Sequence, residues 1–199
     1  MMRSFVALAL IAAAVTPAAA DHGRRRWRRH HQGYEQPPPP PPLIDLSALQ
    51  HITNECQNAF DGQTNEQSCV QTVMRNDGRF DMTSAIRTCE SAFDGDANEL
   101  SCLAIAVDAW QEPSAAIVAC ENGFDGDANE LTCMRTMTQS WLPAHAVSAC
   151  ENSFDGDANE QACLDALVGT RYDINQLVGY CENAYDGDAN ELWCLGQFR

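Results

Sequence analysis

Lysine is absent from this chain of 199 residues: all twelve basic residues are arginine, set against 28 acidic ones, for a formal charge of -16. That balance argues against nucleic acid as the main partner, because phosphate recognition rests on cationic side chains. Histidine is almost as scarce, and only His51 and His145 fall beyond residue 31. No Gly-x-Ser-x-Gly elbow, His-Glu-x-x-His pair or phosphate-cradling glycine loop occurs, so no reaction centre is expected and the chain reads as a non-enzyme. After residue 20 there is no apolar run long enough to span a bilayer.

The first twenty residues combine Arg3, an apolar run from Phe5 to Val15 and the small residues Ala18 to Ala20, the pattern of a secretory signal peptide. Residues 21–36 form a basic arm containing Arg24, Arg25, Arg26, Trp27, Arg28 and Arg29, a composition suited to an anionic surface. Residues 37–44 begin with six prolines, Pro37 to Pro42, which in polyproline II form a stiff spacer of roughly 19 Å. The folded region is expected over 45–199, with Asp45 capping a first helix at Leu46. A secreted or periplasmic location follows from the leader and from ten cysteines, since disulfides persist in such compartments.

Over 45–199 one phrase recurs, written CENGFDGDANELTC at Cys120 to Cys133. Close copies run from Cys89 to Cys102, Cys150 to Cys163 and Cys181 to Cys194, with a looser one from Cys56 to Cys69. The first cysteines step by 33, 31, 30 and 31 residues, a period that signals repeat architecture. It is similar in length to tetratricopeptide and Sel1-like repeats, whose signature residues are absent. Apolar residues before the phrase keep helical spacing, as in Ile117, Cys120 and Phe124, and so do those after it, as in Leu131, Met134 and Thr138. Pro113, Pro143 and Asp173 suit the start of the next helix. The prediction is an all-α fold, an α-solenoid of five disulfide-stapled αα-hairpins of about 31 residues each.

Within the phrase, Gly126 is expected to end the first helix in a left-handed conformation, and Asp127 with Glu130 to open the second as a capping box. The cysteines lie six residues before and seven after that glycine. At 1.5 Å per residue the two arms are about 9 and 10 Å, so cysteines of one unit meet if the helices fold back on each other. Pairing within units keeps a constant separation of thirteen, whereas pairing between units needs 20, 18, 17 and 18 and strands Cys56 and Cys194. Within-unit bridges are therefore expected.

The same corners carry an alternative, calcium binding. Asp94, Asp96 and Asn98 place oxygen atoms at alternating positions, as do Asp125, Asp127 and Asn129, then Asp155, Asp157 and Asn159, then Asp186, Asp188 and Asn190. An EF-hand loop begins in this way, but its glycine at the sixth position is here Glu130 and its twelfth is Thr136. No other cofactor is implied. Trp110 and Trp141 stand eight residues after a cysteine and are expected to pack in the core or between units, the stripe fading at Arg171 in the fourth unit; Trp193 is expected to close the last. The functional expectation is a binding or scaffolding protein with a protein or envelope component as partner.

Overall fold

The computed structural model describes residues 46–76 and 78–199. The leader, arm and proline run, with Asp45, lie outside them. The described residues contain ten α-helices and no strand. In chain order these are α1 (Leu46–Ala59), α2 (Gln63–Val73), α3 (Met82–Ala92), α4 (Asp96–Val107), α5 (Ser114–Gly123), α6 (Asp127–Thr138), α7 (His145–Ser153), α8 (Asp157–Leu167), α9 (Ile174–Ala184) and α10 (Asp188–Leu195). A short 3₁₀ turn, Gly196–Phe198, follows.

Each odd-numbered helix packs on the even-numbered helix after it, making five hairpins. Odd helices pack on odd helices of adjacent hairpins, and even on even. All ten cysteines pair within their hairpin at a separation of thirteen, with Cα atoms 5.7 to 5.8 Å apart. The bridges lie in the core among the expected stripes: Ile86, Ile117, Val147, Met134 and Leu164 are all buried.

The helix stop differs from expectation. Phe124 leaves α5 in an extended conformation (φ -131°, ψ 147°) while its amide still reaches the Cys120 carbonyl. The departure swings its ring inward: Phe60, Phe93, Phe124 and Phe154 are all buried. Burial of the ring, worth about 2 kcal/mol or more, takes the place of a left-handed glycine cap. Gly126 belongs to the start of α6 instead. It is the N-cap residue at φ 83°, ψ 140°, a region closed to side chains in practice, and its carbonyl accepts from the amides of Asn129 and Glu130. The four other corners share this geometry.

Two further devices tie adjacent hairpins. Arg87 of α3 forms a two-pronged pair with Glu55 of α1, with the Nε–Oε2 distance 2.8 Å, and holds that carboxyl below its usual range. Gly123 lets α5 and α7 approach so closely that an added Cβ would sit 2.5 Å from Cγ1 of Val147.

Candidate functional site

At the corners, the first helical residue carries a carboxylate that does not cap its own helix. The side chain of Asp127 instead accepts from Nδ2 of Asn98, one hairpin earlier. The same bond joins Asn65 to Asp96, Asn129 to Asp157, and Asn159 to Asp188, the last at 2.5 Å. Each of these asparagines also donates to the carbonyl four residues back, that of Asp61, Asp94, Asp125 or Asp155. The expected Asp127 cap is thus replaced by an Asn–Asp ladder between hairpins. The ladder also accounts for the one copy that lacks the acceptor Asp: Gln63 stands in its place, in the hairpin that is first among the described residues.

The glutamate of the phrase reaches back toward the N-cap glycine, as a capping box would have it, from one residue further on. Glu99, Glu130, Glu160 and Glu191 are each only 7% exposed, and in each the Oε2 atom has no hydrogen-bond partner. Burial pushes all four carboxyls above their ordinary value. Neighbouring negative charge adds to the shift, for Glu130 that of Asp127, Glu121 and Asp125, while the Gly126 amide opposes it.

The structure therefore brings Asp96, Asp127, Asp157 and Asp188 against asparagines of the preceding hairpin. Asp94, Asp125, Asp155 and Asp186 remain exposed beside them. The backbone amide of Asp125 points at Oδ1 of Asp157, 3.4 Å away. Among the described residues, no three Asp, Glu, His or Cys side chains converge as a metal site requires. The residues of the basic arm lie outside the described part.

The opposite ends of the hairpins, where an even helix passes to the next odd one, hold what the sequence concealed. Trp110 is 57% exposed, Trp141 74% and Tyr172 60%, so of the two placements expected for the tryptophans, in the core or between units, the first is excluded: both are surface residues. The stripe also continues past the third hairpin: Tyr172, not Arg171, occupies the recess of about 520 Å³ shared with Trp110 and Trp141. A second recess of about 260 Å³ carries it on from Tyr172 to Tyr180 and Phe198, whose ring meets both tyrosines edge to face.

These loops are held in register by the backbone. The Trp110 amide donates to the Thr138 carbonyl at 2.9 Å. Gln111 donates to the carbonyls of Met137, Ser140 and Leu142, fixing the loop that carries Trp141. Arg79 donates to the carbonyls of Val107, which ends α4, and of Ala109 just beyond it, and Arg199 to those of Asp165 and Ala166 in the last turn of α8. What results is a row of aromatic rings, left in water on a rigid frame.

Comparison with protein-family models, with curated proteins and with solved structures finds no match to this chain.

Proposed function

We propose that residues 45–199 are an α-solenoid that works as a binding or scaffolding protein outside the cytoplasm, its loop-end groove facing a protein or envelope component. The observation that carries this reading is the exposed row of Trp110, Trp141 and Tyr172 on loops tied down by hydrogen bonds to the backbone. Large aromatics kept in solvent on a rigid frame are the anchors that binding surfaces use.

The magnitudes favour a site built from several repeats. Covering half of one such side chain contributes on the order of 2 to 3 kcal/mol, below the roughly 4 kcal/mol or more lost on association. Three rings in line exceed that threshold where one does not. Five bridges suit an oxidising compartment, and no described helix is long and apolar enough to cross a membrane. The ladder gives the acidic corners a structural role that needs no calcium.

The test is retention of ligands from the native envelope on immobilised protein. Wild type is expected to retain a component that Trp110→Ala and Trp141→Ala release. A retained set identical for all three proteins would defeat the reading.

A further inference from the structure

We infer that the loop-end groove takes a proline-rich, arginine-flanked polypeptide segment in the polyproline II conformation. This rests on the groove being a binding surface and names its occupant.

The first argument is one of period. Trp110, Trp141 and Tyr172 come from three successive loops, 31 residues apart each time. Packed helices lie about 8–10 Å apart, so the successive loops that carry the rings are spaced by about that distance. A polyproline II segment has three residues per turn and a rise of about 3.1 Å, which returns the same face every 9 Å or so. Every third residue then meets one ring. An extended strand returns a face every 7 Å or so and falls out of step after one repeat.

Hydrogen bonding agrees. A polyproline II backbone has no internal bonds, and its carbonyls look for outside donors. Among the described residues no hydrogen bond uses the indole N–H of Trp110 or Trp141 or the hydroxyl of Tyr172, which leaves a donor on each of three residues that line the recess.

Charge supplies the flanks. Residues 46–199 contain 25 acidic residues against 6 arginines, a balance of -19. Asp108 and Glu112 flank Trp110 in the sequence and both are exposed, and Asp173 lines both recesses. Arginines beside the proline core would meet carboxylates, and over an indole face they gain a cation–π contact.

The chain writes such a segment itself, in the part outside the described residues. Arg24 to Arg29 precede Pro37 to Pro42 in the sequence, and six prolines in polyproline II would reach roughly 19 Å, about two steps between loops. A synthetic peptide of residues 24–42 is therefore the probe.

It is titrated, with a fluorescent label, into the full chain carrying a Gly-Ser run in place of Pro37 to Pro42, so that the probe is the one proline-rich segment present. Saturable anisotropy is expected, weakened about tenfold or more by Trp141→Ala or Tyr172→Ala and unchanged by Trp193→Ala, an exposed tryptophan away from the groove. Each variant's melting temperature is checked against the parent.

The inference is overturned by absence of saturation at about 1 mM probe, by equal binding of a probe with serines for prolines, or by a groove that takes a β-linked oligosaccharide instead. If the probe fails while envelope capture still depends on Trp141, the polyproline assignment alone falls. If both fail, the binding surface falls with it.

Discussion

Asn98 donates from one amide nitrogen to two acceptors: the Asp94 carbonyl of its own corner and the Asp127 carboxylate of the next hairpin. The bond within the corner fixes the side chain's rotamer before it reaches across. Four such rungs join five hairpins, so the most acidic stretch of the chain is also its inter-repeat seam.

Removing a rung should weaken one interface. Asn98→Ala is expected to lower stability by about 1 kcal/mol, because a bond to a charged acceptor is worth more than a neutral one but this one is half exposed. Asn190 has only its own corner carbonyl to bind, and Asn190→Ala should cost clearly less. Thermal unfolding of the two variants side by side decides it; equal losses would deny the ladder an energetic role.

The four buried glutamates set a pH dependence. A carboxyl whose folded pKa is raised holds its proton where the unfolded chain has released it. Its stabilising effect is present at low pH and is lost as pH rises through the raised value. Glu55 runs the other way, since its pairing with Arg87 is lost as pH falls through its lowered value. With four groups against one, the urea midpoint should be higher near pH 5 than near pH 8. Glu130→Gln should flatten that slope and raise the midpoint at neutral pH. A midpoint that climbs steadily with pH in the parent would contradict this.

Two glycines of the third hairpin fail for different reasons. Gly126 has open space where a methyl group would be added but a positive φ, so Gly126→Ala should cost about 2 kcal/mol through backbone strain alone. Gly123→Ala meets Val147 instead, at about 1 to 3 kcal/mol. The second penalty should shrink in a Val147→Ala background and the first should not, a comparison read from denaturant midpoints.

Each bridge closes a short loop, and replacing Cys120 and Cys133 together by alanine should lose about 3 kcal/mol. A non-reducing digest of the parent should yield links of separation thirteen and no others. Any link between different hairpins would refute the pairing.

Calcium should leave the protein unmoved. With Asp127 and its equivalents held by asparagines, Ca²⁺ at about 1 mM is expected to shift the melting temperature no more than the same ionic strength of Mg²⁺. A saturable, calcium-specific rise would restore the ion-binding alternative.

Hairpins, bridges and the buried stripes were readable from the chain because each depends on spacing within one unit. The ladder was not, since Asp127 and Glu130 satisfy a capping pattern inside a single unit and the register between units leaves no local mark. Gln63 was the available sign: the acceptor is missing in the one copy that follows no other. The aromatic row was hidden in a similar way. Counting eight residues from the second cysteine finds Trp110 and Trp141 but lands on Arg171, one short of Tyr172, because the position depends on the course of the loop. Phe124 as an extended wedge was equally invisible, since a helical stripe and a ring folded in from beyond the helix share the same spacing.

The placement of the bridges has a mechanical consequence. Every disulfide closes a hairpin beyond its corner and none crosses from one hairpin to the next. A chain pulled from its two ends would pass the load through the sulfur atoms, bypassing each corner. Under tension the seams between hairpins would part first, and the corners, with their glycine turns, would never be drawn out. The molecule would lengthen by a fixed, short amount per repeat and close again from five intact pieces.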